Sequence, residues 1–299
     1  MVFLKNRPIK RSGCPFCMTD LSIRICPYCE SKGELYFTAG KKIFFRCSFC
    51  DLIFRITEQD EEDRLLNYYR KNYFTDLAGD QVIGKRDEVF THTLDMIESQ
   101  TERGKLLDVG CGCGLLLKEA LGRGWAVCGV DPSEQSVEYA SSLLGDVVYL
   151  GTLEKFYPGE QYDVITMVNV LDHMTQPWQE LKKIYALLKP GGYIFFRFPN
   201  GKLHSLLLKI SKKYNIENCV GRFLIFHEHS LTPRFIKRLL SDHNFVDIDV
   251  RNAKPTAGNW MSSNFKKLIY YGAEMFSLFS DKKILMGTSL SVMAKKPEL

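Results

Sequence analysis

From Lys105 onward, short apolar runs alternate with stretches whose apolar residues recur every three or four positions, the pattern of strands alternating with helices around a parallel sheet. The runs predict strands at 105–109, 126–130, 147–150, 162–169 and 193–198. The periodic stretches predict helices at about 114–123, 134–144 and 177–188. Asp131-Pro132-Ser133 offers a cap for the helix that begins at Glu134. Lys189-Pro190-Gly191-Gly192 stops the third helix and turns the chain into the fifth strand. Beyond it the order changes, with a helix opened by Thr232-Pro233, a strand at 246–250 and a last strand at 288–294. Upstream, 64–74 reads as an aromatic-rich helix behind the acidic stretch 58–63. A second helix over about 85–99 sets Val89, Phe90, Thr93, Leu94 and Ile97 on one face. Nearer the start, 34–37 and 42–46 look like two short strands flanking a turn at Ala39-Gly40.

The chain has 299 residues, enough for one large core and a small accessory module. The organisation expected is a cysteine-rich region at 1–56, linking helices at 57–104 and an α/β domain at 105–299, with insertions near 201–228 and 255–283. The net charge of +5 is concentrated in residues 1–56, which hold ten basic residues against four acids. Such a basic end suits nucleic acid, anionic lipid or a phosphorylated substrate, or simply a solvated surface. No apolar run reaches the roughly 18 residues of a membrane span, and Met1-Val2-Phe3-Leu4 meets basic residues at once, without a secretory core. A cytoplasmic protein is expected.

Six of the ten cysteines fall in three C-x-x-C pairs, which suits metal in a reducing compartment better than disulfides. Cys26-Pro27-Tyr28-Cys29 and Cys47-Ser48-Phe49-Cys50 are separated by seventeen residues, inside the window for a structural zinc site. Each pair turns back tightly enough to offer two thiolates to one tetrahedral ion. Cys26, Cys29, Cys47 and Cys50 are therefore the expected ligands of Zn²⁺ in a ribbon too small to build a core of its own; redox-active pairs are the alternative. Cys14 and Cys17 could join Cys26 and Cys29 in a separate site, substitute for one pair, be a duplicated remnant, or be two free thiols. Cys111, Cys113, Cys128 and Cys219 show no ligand spacing and read as small buried residues.

The first strand runs into Leu106-Leu107-Asp108-Val109-Gly110-Cys111-Gly112-Cys113-Gly114, an acidic strand end followed by alternating glycines. Glycine admits positive φ and close approach of backbone to a ligand, so this is a strand-to-helix turn built around a bound molecule. Asp131 follows the second strand about 20 residues on, where a dinucleotide-type fold places the acid that holds a ribose.

These residues together resemble the class I S-adenosylmethionine-dependent methyltransferases. The glycine loop matches their first motif and Gly129-Val130-Asp131 their second-strand acid. Gln161 to Ile165 with Leu171-Asp172-His173-Met174 is similar to their fourth-strand region, and Leu187-Leu188-Lys189-Pro190-Gly191-Gly192 to the segment before strand five. The cysteine pairs, Asn67-Tyr68-Tyr69, Phe198-Pro199-Asn200 and Glu228-His229-Ser230 resemble a subgroup with an N-terminal zinc ribbon, whose members modify sugars, lipids or other biosynthetic intermediates. The resemblance implies a Rossmann-like seven-stranded sheet with its last strand antiparallel. It also implies S-adenosyl-L-methionine as cofactor, with Asp108, Gly110, Cys111, Gly112, Gly114, Asp131, Pro132, Thr152, Leu153 and Asn169 around it. Asp131 would take the ribose hydroxyls, and Asn169 would face the methyl group. The family often carries an acid near Thr152 for the adenine amino group; here backbone atoms or Glu154 substitute.

A hydroxyl or carbon acceptor must lose a proton, which calls for a base. His173, just after strand four, is the first candidate, and His229 and His227 come second. Mg²⁺ through Asp172 and Glu228 is a weaker alternative. The stretch 202–226 is expected to build the acceptor pocket. So is an apolar stripe of Met261, Phe265, Leu268, Gly272, Met275 or Phe276, and Phe279, unless that helix packs on the core or touches a membrane surface. The function expected is O- or C-methylation of a small-molecule, sugar or lipid acceptor. The alternatives are methylation of RNA or another macromolecule gripped by the basic ribbon, and a non-catalytic binding module.

Overall fold

The computed structural model describes residues 23–40, 42–55, 59–72, 74–75, 86–216, 224–256, 260–281 and 283–298. Cys14, Cys17, Tyr73 and Cys219 lie outside the described residues. The chain begins with strands β1 (Ile23–Ile25), β2 (Lys32–Ala39), β3 (Lys42–Cys47) and β4 (Ile53–Phe54), then helices α1 (Gln59–Lys71) and α2 (Asp87–Glu98). Next come β5 (Lys105–Val109), α3 (Leu115–Gly122), β6 (Ala126–Asp131), α4 (Glu134–Leu144), β7 (Val148–Leu150), β8 (Tyr162–Val168) and α5 (Pro177–Leu187). The rest is β9 (Leu188–Pro199), α6 (Gly201–Lys213), β10 (His229–Ser230), α7 (Pro233–Asp242), β11 (Val246–Asn252), α8 (Trp260–Phe279) and β12 (Ser289–Lys295).

Seven strands form one sheet in the order β11-β12-β9-β8-β5-β6-β7. β9, β8, β5, β6 and β7 run parallel, and β12 enters antiparallel between β9 and β11. This is the Rossmann-like methyltransferase arrangement. The central strands are apolar without alternation because both faces are covered. Leu107, Val109, Ile165 and Met167 belong to the core on one side, while Leu106, Val164 and Val168 belong to the core beneath α2, α3 and α4 on the other.

Two boundaries differ from expectation. Residues 59–63 are not a lead-in but the first turn of α1, which runs from Gln59 to Lys71. Lys189-Pro190-Gly191-Gly192 is not a turn outside the sheet but a bulge within β9. Tyr162 pairs with Leu188, and the register then shifts so that Val164 pairs with Tyr193. Gly191, at φ 77°, turns its N–H to the Lys296 carbonyl at 3.0 Å.

The first four strands form a second sheet, β1-β2-β3-β4-β10, whose last strand is supplied by the far half of the chain. β10 pairs antiparallel with β4, His229 opposite Phe54 and Ser230 opposite Ile53. Around that seam Arg55 Nη2 donates to Glu228 Oε1 at 2.6 Å, and Thr232 Oγ1 donates to Asp51 Oδ2 at 2.8 Å while capping α7 through the Phe235 N–H. α6 closes the other face of the small sheet: Leu208 packs with Phe37, Phe44 and Ile53, and Lys212 Nζ donates to the Thr38 carbonyl at 2.8 Å. α8 lies on β11 with Ala273 and Ser277 inward, leaving Leu268, Met275 and Phe279 of the expected stripe exposed. Among the described residues, no helix is long and apolar enough to cross a membrane.

The Arg55 and Glu228 side chains are only 7% and 5% exposed, and removing one partner of a buried ion pair leaves the other charge desolvated. Glu228→Ala is expected to lower stability by about 3–5 kcal/mol, read as a shifted urea midpoint; a change below about 1 kcal/mol would match an exposed pair instead.

Candidate active site

A cavity of about 700 Å³ opens at the carboxyl ends of β5, β6 and β8, a volume typical of small-molecule sites. Asp108, Gly110, Cys111, Gly112, Asp131, Pro132, Thr152, Leu153, Asn169 and His173 all line it. Gly114 and His229 do not.

The loop after β5 is held open by three left-handed glycines, with φ of 72°, 52° and 72° at Gly110, Gly112 and Gly114. At Gly110 a Cβ would also lie 2.4 Å from Val170 Cγ2, so only glycine lets the loop pass the end of β8. Gly114 works away from the cavity, where a Cβ would come within 2.9 Å of Leu144 Cδ1 and 3.1 Å of Ala140 Cβ as α3 packs on α4. The Gly110 N–H donates to the Val130 carbonyl at 2.8 Å, and the Gly112 N–H donates to Asp131 Oδ2 at 2.8 Å. Asp131 Oδ1 accepts the Ser133 N–H at 2.9 Å. Asp131 thus ties the glycine loop to the start of α4, and each of its oxygens keeps a lone pair for a ligand.

Both acids of this loop are poorly solvated. Burial raises the Asp131 carboxyl above its ordinary value, against the two backbone donors. Burial also pushes Asp108 up to about 7, with Asp131 adding to the shift, while Thr166 Oγ1 donates to Asp108 Oδ1 at 2.7 Å and opposes it. Burial raises the Cys111 thiol as well, and takes Cys113 to about 11, so both stay protonated. Thr152 precedes the 3₁₀ turn Leu153–Lys155, and Gly151 to Leu153 give the cavity a largely backbone edge.

The wall facing the loop comes from α1, through Asp63, Leu65, Leu66 and Tyr69, and from Arg86 and Phe90 at the start of α2. Among the described residues, neither α6 nor α8 lines the cavity, so the described parts of the two insertions expected to build this wall do not. α6 serves the small sheet instead. Tyr69 falls in the aromatic-rich helix that the sequence predicts, whereas Arg86 carries no signal, because nothing local distinguishes it from a solvated arginine. Arg86 makes no ion pair among the described residues.

On the same side, the Tyr69 hydroxyl lies 2.5 Å from His173 Nδ1, and the His173 and His227 rings are 3.7 Å apart. His227 Nε2 is 3.6 Å from Asp172 Oδ2. Burial lowers His173 to about 3, with His227 and Arg86 adding to the shift, and lowers His227 to about 4. Both imidazoles are neutral at physiological pH. Asp172 is buried, with Oδ1 lacking a partner, and its carboxyl is raised to about 7 by burial.

His229 is placed differently. Its Nε2–H donates to the Thr175 carbonyl at 2.8 Å and its ring lies against Trp178, so it braces the segment after His173 from beneath. Nδ1 is buried and unpartnered, and burial lowers the pKa. Glu228, once a candidate for Mg²⁺, is bound to Arg55. Asn169 at the end of β8 has φ 58°, and its Oδ1 accepts from Arg197 Nη1 at 2.6 Å.

Cys26, Cys29, Cys47 and Cys50 lie together at the small sheet, with all four Sγ atoms within 4.8 Å of one another. The Cys26–Cys50 and Cys29–Cys47 sulfurs are 3.6 and 3.5 Å apart. A tetrahedral ion at the usual zinc–sulfur distance sets its sulfurs about 3.8 Å apart, so the cluster fits. Two matching turns make it. Glu30 and Asp51 follow their cysteine pairs at φ 60° and 70°, each returning its N–H to the carbonyl of the first cysteine. The Cys50 N–H points at Cys47 Sγ at 3.5 Å.

A family model described as a methyltransferase domain matches residues 83–250. The ubiquinone biosynthesis O-methyltransferase of Idiomarina loihiensis is 32% identical over 168 residues, 52% of this chain and 69% of that protein. The protein of the same name from Thiobacillus denitrificans is 34% identical over 114 residues, 36% of this chain and 49% of that one. The chain therefore spans about half to two thirds of these relatives' length. The crystal structure of a SAM-dependent methyltransferase from Archaeoglobus fulgidus aligns with a TM-score of 0.50 at 20% identity, covering 75% of this chain and 100% of that one, a likeness of fold. With the matched domain running from α2 past α7 over more than half the chain, and the sheet order and glycine loop in place, the chain belongs to the S-adenosylmethionine-dependent methyltransferases.

Proposed function

We propose that the protein methylates a hydroxyl oxygen of a small-molecule acceptor, of the sugar, lipid or aromatic-intermediate kind, and carries a structural zinc in its ribbon. The observation behind the reading is one cavity that joins the glycine loop and Asp131 to a neutral histidine and an amide at the end of β8. Two relatives named as O-methyltransferases support the choice of oxygen.

S-adenosylmethionine, when bound, supplies a sulfonium methyl group that is transferred in line to a nucleophile. Asp131 would accept the two ribose hydroxyls on the lone pairs its backbone donors leave free. Asp108 would face the cofactor's ammonium, and Arg86, the cavity's arginine without an ion pair among the described residues, its carboxylate. Gly110, Cys111 and Gly112 would follow the methionine chain, Pro132 the ribose, and the backbone edge at Thr152 and Leu153 the adenine. α1 excludes water, and Tyr69 orients His173. A neutral His173 can accept the acceptor's proton, and burial then drives that proton on to solvent. The sulfurs of Cys26, Cys29, Cys47 and Cys50 would hold one Zn²⁺, in place of the apolar core the ribbon is too small to build.

The test is calorimetry with S-adenosylmethionine followed by transfer of labelled methyl to separated small-metabolite, lipid and RNA fractions. Micromolar binding, weakened at least about tenfold by Asp131→Ala, and label in an alkali-stable ether of a small molecule are expected. No binding by the wild type, or label in RNA, overturns the reading.

Asp108 adds a pH dependence. Its raised pKa means that the ligand-free protein holds this proton below about pH 7, whereas an adjacent ammonium favours the ionised form. Affinity is expected to rise with pH up to about 7 and then level off. Binding at pH 6 should release a proton, seen as a heat that depends on the buffer, and Asp108→Asn should abolish that release. Metal analysis should find one zinc held by the four ribbon cysteines, lost in Cys26→Ser or Cys47→Ser; full retention in both variants would contradict the ligand set.

A further inference from the structure

Asn169 and Arg197 are fastened to one another twice. The Asn169 N–H donates to the Arg197 carbonyl at 2.7 Å, and Arg197 Nη1 donates to Asn169 Oδ1 at 2.6 Å. The left-handed backbone of Asn169, at φ 58°, is the kind of local strain that persists where its surroundings fix it. A guanidinium has donors and no acceptor. The amide atom turned toward Arg197 must therefore be the oxygen, and the edge left for the cavity is Nδ2 with its two N–H groups.

Arg197 is itself 5% exposed. Its Nη2 donates to the Lys254 carbonyl at 3.0 Å, and its Nε has no partner. Burial lowers its pKa to about 10, which leaves it cationic at neutral pH. Among the described residues it forms no ion pair, and the nearby Asp172 carboxylate opposes the lowering only in part. A guanidinium buried in this way carries a desolvation cost that only nearby negative charge offsets well. It also polarises the amide it holds, making Nδ2 a stronger donor.

On the O-methyltransferase reading above, we propose that Asn169, oriented by Arg197, determines which atom of the acceptor is methylated, by donating to an acidic hydroxyl held as its oxyanion. The acceptor class is a phenol or enol, and amines are turned away. An amine presents N–H groups to a site that already offers N–H groups, and donor against donor leaves both unpaired. An oxyanion accepts from Nδ2 and feels the charge of Arg197 behind it. The hydroxyl proton leaves through His173 to solvent water. The oxygen then forms its bond to the methyl carbon with its own electron pair as the carbon–sulfur bond breaks, and the sulfur keeps that pair as a neutral thioether. Asn169 touches the acceptor, and Arg197 is a positioning residue acting through it.

The test uses two probes matched in shape, 4-nitrophenol and 4-nitroaniline, on the protein loaded with S-adenosylhomocysteine. Wild type is expected to bind the phenol at least about tenfold more tightly than the amine and to show the phenolate absorption band at pH 6, where the free phenol is mostly neutral. Asn169→Asp keeps the shape and the hold on Arg197 but replaces the two donors by an oxygen. With its cofactor site saturated by S-adenosylhomocysteine, it should lose the preference and the phenolate band. Arg197→Lys, which keeps the charge without the fork, should retain part of the preference. Equal binding of the two probes, binding of neither, or an Asn169→Asp variant that behaves as wild type overturns the proposal. Failure of wild type to bind S-adenosylhomocysteine overturns the methyltransferase site itself, so the two failures are distinguishable.

Discussion

The pairing of β4 with β10 is the constraint on which the two halves of the molecule depend. A two-residue strand at the edge of a small sheet contributes little by itself. Here it is sealed by the Arg55–Glu228 pair, by Thr232 on Asp51 and by Tyr28, whose hydroxyl reaches Asp242 while its ring packs on Trp178 and Phe235. Cys26, Cys47 and Cys50 are consequently buried in the same apolar cluster as Phe196 of the large sheet and Ile236 of α7. The cysteine turns are part of the wall of the main core. The seam also reaches the cavity, because β10 carries His229, which holds the Thr175 carbonyl two residues beyond His173.

The cavity shows the opposite economy. Its loop is shaped by backbone, with three glycines and two buried carboxylates in which local stability is given up to keep polar groups ready for a ligand. Asp108, Asp131 and Asp172 all have their carboxyls raised by burial. Each therefore stabilises the protein most at acid pH and less as it ionises. Sites with polar groups preorganised in this way bind with little rearrangement, and their cost is carried by the apolar sheet beneath.

What was legible in the sequence was what is local. The strand ends, the glycine loop, Asp131 and the two cysteine turns each sit within a few residues of the groups that define them, and periodicity or spacing is enough to find them. What joins the walls was not legible, since Tyr69 meets His173 across 104 residues and Arg197 meets Asn169 across 28. Spacing says nothing about such pairs. His173 and His229 looked alike as histidines near motif positions, and only the donor on Nε2 and the burial of Nδ1 set them apart. The 202–226 stretch misled for a related reason: an insertion after strand five lies near the ligand side, but Leu208, Leu224 and Phe226 had the small sheet to cover.

The small sheet is assembled from residues that leave the ribosome at very different times. Arg55 and Glu228 are 173 positions apart, so β4 emerges with an open edge and a desolvation-prone cation long before its partner strand exists. At ordinary elongation rates of about 5–20 residues per second that interval lasts roughly ten seconds or more. During it the cysteine turns must hold the nascent ribbon together while its exposed edge invites pairing with other chains. Early capture of a metal ion would then act as the molecule's own chaperone, keeping the first-made piece in shape until the last-made half arrives to cover it.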